Sequence, residues 1–163
     1  MSIVEICQWL QDTAWATSLR ESELVFPLLE GSHLLGIAIS FGTLLILDLR
    51  LTGLLFRYEA VSRLTRAVMP VSVAGFTWMF LSGGLLFASQ AVKAWGSVYF
   101  RIKLALMLLA GINALVFELT LRRHVRDWDS EIIPPLRARL AGYLAITLWA
   151  GVICAGRTMA YNL

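Results

Sequence analysis

The sequence predicts an all-α polytopic membrane protein: a four-transmembrane-helix bundle with a short N-terminal interfacial helix, forming a single membrane domain over residues 1–163. Composition is the first reason. Of 163 residues, 58% are hydrophobic and only 15% are charged, and the mean hydropathy is +0.72. A soluble chain of this length needs more charge to cover its surface. Distribution is the second. Residues 31–47, 67–92, 104–117 and 140–156 contain no Asp, Glu, Lys or Arg. A span takes about 20 mostly apolar residues at ~1.5 Å each.

The elements follow in order. Residues 2–18 carry Ile3, Ile6, Leu10 and Ala14 at helical spacing, with Trp9 and Trp15 nearby. That pattern predicts a helix lying in the membrane interface, where Trp is favoured. Glu5, Asp12 and the lack of a basic start argue against a secretory signal. The spans are expected at about 24–48, 68–92, 101–122 and 138–160. Little chain remains for a soluble domain. The segment Asp127–Pro135 is polar and contains two prolines, so it reads as a loop before the fourth span.

Basic residues set the expected topology. Arg50, Arg57, Arg63 and Arg66 lie in the first connection, and Arg122, Arg123, Arg126, Arg137 and Arg139 in the third. The opposite side carries Arg20, Lys93, Arg101, Lys103 and Arg157. This places both termini outside a bacterial cytoplasmic (inner) membrane, with the first and third connections in the cytoplasm. The lipid bilayer is the expected environment, with self-association or docking into a membrane complex as further partners. A formal charge of +3, without a basic stripe interleaved with aromatics, argues against nucleic acid. No G-x-G-x-x-G, P-loop or G-x-S-x-G is present, so the chain is not expected to be an enzyme by itself.

The candidate site centres on His33, one of only two histidines. An ionisable group at membrane depth is costly and points to a function. Glu30, at i−3, shares its helix face and is either a second metal ligand or a hydrogen-bond partner that orients the imidazole. Counting depth along the other spans brings Gly83 and Gly84, Ala110 and Gly111, and Gly151 to Ala155 level with His33, and Gly36 lies a turn below it. These small residues are either packing surfaces or a slot for a flat cofactor. Arg101, Lys103 and Arg157 would lie above, as snorkelling anchors or as a basic cap for carboxylates. The candidate occupant is haem b or a transition metal such as copper, with His33, Glu30 and Cys154 as candidate ligands. His124 follows the third span, ~18 Å or more away along the membrane normal, and does not complete a bis-histidine haem. At the other end Asp48 and Arg50, with Glu118 and Arg122 at i and i+4, form an ion-pair network, or Asn113 and Glu118 line a proton or ion path.

The segments Glu30-Gly-Ser-His33-Leu-Leu-Gly36, Leu47-Asp48-Leu-Arg50-Leu-Thr-Gly53, Gly83-Gly-Leu-Leu-Phe87-Ala, Phe100-Arg101-Ile-Lys103, Asn113-Ala-Leu-Val-Phe117 and Ala155-Gly-Arg157 resemble an uncharacterised family of small bacterial four-helix integral membrane proteins. The resemblance runs over nearly the whole chain and implies a four-helix fold. It also leads one to expect a His after Phe117, where this chain has Glu118. His33-Leu-Leu-Gly36 has a shorter likeness to copper-resistance membrane domains and b-type cytochromes. Three functions therefore stand as expectations. One is cofactor binding through His33 for electron transfer or for metal or haem handling. The others are a non-catalytic accessory subunit and a proton-coupled carrier.

Overall fold

The computed structural model describes residues 2–161, without the side chains of Leu121 and Arg122. Helices α1 (Ile3–Gln11) and α2 (Ala14–Glu21) precede α3 (Val25–Thr52) and α4 (Val61–Ser89). Then come α5 (Ala91–Gly96), α6 (Val98–Val116), α7 (Val125–Trp128) and α8 (Leu136–Tyr161). Helices α3, α4, α6 with its extension to Thr120, and α8 are long and apolar enough to cross a membrane. The described residues contain no strand.

The N-terminal stretch is two helices rather than the single one expected. It breaks at Asp12, which caps the end of α1, and Thr13, which starts α2 in an extended conformation. Ser2 and Glu5 form a reciprocal capping box at the start of α1. The pair folds back over the end of α4. Gln11 accepts a hydrogen bond from the Val92 N–H at 3.1 Å, and Arg20 donates to the Ser89 carbonyl at 3.1 Å. A cation there satisfies a carbonyl that the helix leaves open and complements its dipole.

Helix α3 is the hub of the bundle. It packs against α4 on one side and α8 on the other, and α6 packs against α8. The α3–α4 seam is built from small residues at alternating spacings of three and four: His33, Gly36, Ser40, Thr43 and Leu47 face Val68, Ser72, Gly75, Met79 and Ser82. Small side chains let membrane helices approach closely, where dispersion contacts and interhelical hydrogen bonds hold them. A Cβ on Gly75 would lie only 2.9 Å from the Ser40 backbone nitrogen, so nothing larger fits without moving a helix. Thr43 and Ser72 hydroxyls bond across the seam at 2.6 Å. Gly142 brings α8 equally close to α3, where a Cβ would stand 3.0 Å from the Asp48 carbonyl.

The arginine-rich end has its own core of Leu47, Leu51, Val61, Val68, Val125, Trp128 and Ala138. Arg50 is fully buried among these elements. Its Nε donates to the Glu59 carbonyl at 2.6 Å, and its Nη2 to the carbonyls of Glu131 at 2.8 Å and Asp129 at 3.4 Å. Gly53 ends α3 in the left-handed region, at φ 74°, and turns the chain back. Asp129 in turn caps α4. Its carboxylate accepts from the Ser62 N–H at 2.7 Å and the Ser62 hydroxyl at 2.6 Å. The expected ion-pair network is not what holds this end. Arg50 bonds backbone carbonyls of two connections rather than Asp48, and Glu59–Arg63 is an exposed pair within one turn. The Glu118–Arg122 pairing falls on a side chain outside the described residues.

Burial pushes the Asp129 carboxyl up. The two Ser62 hydrogen bonds and the Arg50 and Arg66 guanidiniums outweigh this and hold it below its ordinary value of 3.8. Because the folded value is the lower one, this stabilisation is complete above pH 3.8 and is lost as pH falls through the folded value. Thermal melts across pH 2–6 are therefore expected to show a fall in stability on the acid side that Asp129→Asn reduces. An unchanged acid limb in the variant would refute the role of this cap.

Candidate functional site

His33 is half-buried on α3, toward the end of the bundle remote from Arg50. Its Nδ1 lies 2.9 Å from the Ser82 hydroxyl oxygen on α4. Ser82 spends its only proton on the Trp78 carbonyl at 2.7 Å, so it accepts from the imidazole. The Nδ1–H tautomer follows, leaving the lone pair on Nε2. The ring lies on Gly83, where a Cβ would come within 3.0 Å of Cε1. Lys103 on α6 lies within electrostatic reach of His33, and its side chain runs past Gly156 of α8. Trp78 adds a second tie between the helices by donating from Nε1 to the Ser32 carbonyl at 3.1 Å.

The structure thus brings together His33, Gly83 and Lys103 from the residues expected at this site. Gly36 is buried one turn on, but it packs against Trp78 and the Met79 backbone, as a helix contact. Gly84 and Gly111 have open space around them, and no atom of His33 lies within 4 Å of a Cβ built at either. Glu30 is exposed, and Ser82 takes the orienting role expected of it. Arg101 and Arg157 are exposed, with the Arg157 guanidinium 5.6 Å from the Tyr161 ring centre. Of the expected basic cap, Lys103 alone approaches the histidine. Cys154 is exposed. Among the described residues no cluster of three or more His, Cys, Asp or Glu side chains is placed to hold a metal. His124 is exposed at the arginine-rich end, with Nδ1 3.2 Å from the Thr120 carbonyl.

The second candidate lies at the arginine-rich end. A cavity of about 530 Å³ opens there between α3, α4, α6 and α8. The α7 segment forms its rim with Arg126, and Asp129 lies just beyond. Asp48 lines the wall and is only 7% exposed. Among the described residues no donor reaches its carboxyl group. Asn113 on α6 also lines the cavity, and its Nδ2 donates to the Ala141 carbonyl at 3.0 Å. That bond fixes the amide and leaves its oxygen as an acceptor. Glu118, Phe117 and Trp149 complete the wall on α6 and α8.

Sequence reasoning noticed Asp48 and Asn113 but missed their convergence. Asp48 was expected to end the first span, whereas α3 continues to Thr52 and carries it a turn inside. Ser82 was missed altogether, although a hydroxyl beside Gly83 at the depth of His33 is a readable signal. Comparison with known protein families, characterised proteins and solved structures yields no match to this chain.

The His33–Ser82 bond is a direct link between α3 and α4. A double-mutant cycle of His33→Ala and Ser82→Ala, read by thermal or denaturant unfolding in detergent, is expected to give a coupling of about 0.6 kcal/mol, the usual size for such bonds between membrane helices. Additive effects would show that the two side chains act independently.

Proposed function

We propose that the protein is a membrane carrier that binds a small ligand in the cavity at its arginine-rich end, with Asp48 as the anchoring group. The observation that carries this reading is the Asp48 carboxyl: 7% exposed, without a donor among the described residues, and facing a cavity of about 530 Å³. A buried carboxyl is costly unless a proton or a cation neutralises it. Exchange of one for the other on the same oxygen is the elementary step of a proton-coupled carrier. Asn113 supplies a fixed hydrogen-bonding group on the facing helix, and Trp149 and Phe117 supply apolar surface. Convergent polar groups in a largely apolar concavity are what a small-molecule site requires. The bias of basic residues sets the mouth on the cytoplasmic side.

The test is a thermal-shift screen of the purified protein against amines, amino acids and carboxylates. A true ligand at ~100 times its Kd is expected to raise the melting temperature by about 5–10 °C. Ala145→Leu, which fills the cavity wall, and Asp48→Asn are both expected to remove that gain. A ligand that stabilises both variants as well as the parent would place the site elsewhere, and a screen without any stabilising ligand would refute the reading.

A second reading keeps His33 as the ligand of haem b or a transition metal such as copper. It is favoured by one observation: Ser82 holds Nδ1 and leaves Nε2 with its lone pair, as in metal-ligating histidines. Any further ligand would come from solvent or a partner subunit. Protein purified from its native membrane would then show a Soret band or bound metal that His33→Ala removes; neither signal in the parent refutes this reading.

A further inference from the structure

The cavity is layered along the helix axes. Asn113 bonds the Ala141 carbonyl, and Gly142, the next residue of α8, packs on the Asp48 carbonyl, so Asp48 and Asn113 stand at one level. Toward the middle of the bundle the walls turn apolar, with Leu44, Met69, Ala110, Ala145 and Trp149. Trp149 lies seven residues past Gly142, ~10 Å further along α8. The charged groups are nearly balanced. Asp48, Glu118 and Asp129 face Arg66 and Arg126 in the lining, which leaves one carboxylate in excess. The α3–α4 register, fixed by Thr43 on Ser72, sets Arg66 level with Asp48. Arg66 is exposed, however, and its field acts on Asp129, whereas no basic group among the described residues acts on Asp48. The uncompensated carboxyl is the buried one. One side of the cavity also lacks a helix seam. Helix α6 packs against α8, and among the described residues it has no extended packing with α3 or α4. Its stacking contact with α4, Phe100 on Phe87, lies toward the other end.

We infer that the cavity takes a single-chain primary ammonium amphiphile, its head against Asp48 and Asn113 and its apolar chain directed toward Trp149. This inference rests on the reading of the cavity as the ligand site. An ammonium head neutralises the one carboxyl that the protein leaves uncompensated, and the Asn113 amide oxygen is a second acceptor for its protons. A carboxylate or phosphate head would meet Asp48 with like charge. An uncharged head would leave that charge unneutralised, and a compact polar cation would leave the apolar half of the cavity without contacts. The orientation is that of an amphiphile in a leaflet. The head stands about a helical turn inside the end of α3, and the chain points toward the middle of the span. The gap in packing between α4 and α6 lets such a chain enter sideways from lipid, without dragging its head through the bundle.

The experiment is calorimetric titration of the full-length protein in phosphatidylcholine nanodiscs with n-octylammonium, octanoate and n-butylammonium, with empty nanodiscs titrated in parallel to subtract partitioning into lipid. Saturable binding of n-octylammonium is expected, about tenfold or more tighter than octanoate, the weight of one charge-assisted contact. It is also expected to exceed n-butylammonium by about tenfold or more, through the additional methylenes buried against the apolar wall. Asp48→Asn is expected to weaken both ammonium probes by about tenfold and to leave octanoate no weaker. Ala145→Leu, which narrows the apolar half, is expected to weaken n-octylammonium more than n-butylammonium. Should Asp48→Asn fail to fold, the comparison of the three probes on the parent protein decides alone. Equal or tighter binding of octanoate or n-butylammonium overturns the inference, as do full n-octylammonium affinity in the variants and heats no different from those of empty nanodiscs. The thermal-shift screen decides the cavity reading separately, since a ligand lost in Ala145→Leu upholds that reading whatever these probes do.

Discussion

The Arg50 guanidinium is the constraint on which the arginine-rich half of the molecule depends. It is fully buried at the end of the central helix, and it reaches carbonyls in both connections on that side, those of Glu59 and of Asp129 and Glu131. Hydrogen bonds from a charged donor are worth about 1.5–3 kcal/mol each, and a buried charge left without them costs more than that. One side chain therefore joins the α3–α4 hairpin to the connection between α6 and α8. The join also sets where the chain can splay. With residues 125–129 drawn against α3 and α4, Val125 and Trp128 join the core at that end, and Val125 and Arg126 line the cavity. Toward the other end α4 meets α8 through Phe76 on Trp149 at 5.0 Å, and meets α6 through Phe87 stacked on Phe100 at 5.1 Å. The cavity lies on the arginine-rich side of these aromatic contacts.

The two ends differ in kind. The α3–α4 seam is closed by small residues, and its polar groups are spent on one another: His33 on Ser82, Thr43 on Ser72, and Trp78 on the Ser32 carbonyl. Each hydroxyl and ring nitrogen in the seam that moves gives up a partner on the facing helix or on its own. Around the cavity the accounting is incomplete, with Asp48 lacking a donor among the described residues. Polar groups in the seam serve architecture, whereas Asp48 in the cavity wall does no such work.

Much of this fold is legible in the sequence because membrane helices are specified by a one-dimensional property. Charge-free runs located all four helices that are long and apolar enough to cross a membrane, and the basic residues between them marked the end where Arg50 acts. Azimuth is less legible. Adjacent helical residues point ~100° apart, so counting depth brings Gly83 and Gly84 equally near His33 while only Gly83 faces it. Helix ends are the other weakness. An acidic residue looks like a terminus, yet α3 continues past Asp48 because Gly53, rather than the charge, ends the helix. Local chemistry reads better where it is reciprocal over short range, as in the Ser2–Glu5 box, but Ser2 was part of a pattern read only for its apolar positions.

Asp48 and Arg50 are neighbours with opposite fates, and the contrast separates structure from function. Both are buried, at 7% and 0% exposure. Arg50 makes three carbonyl contacts through Nε and Nη2, with Nη1 left without a partner among the described residues, and these contacts organise the fold. Asp48 has no such compensation among the described residues and organises nothing that the structure shows. Its position is not forced by lack of alternatives, since the wall around it is apolar and a leucine there would cost no desolvation of charge. A group that weakens the fold where an apolar residue would strengthen it is the kind of local inconsistency that marks a site built for something other than stability. The cavity supplies what that something requires: space and an orienting amide on the facing helix.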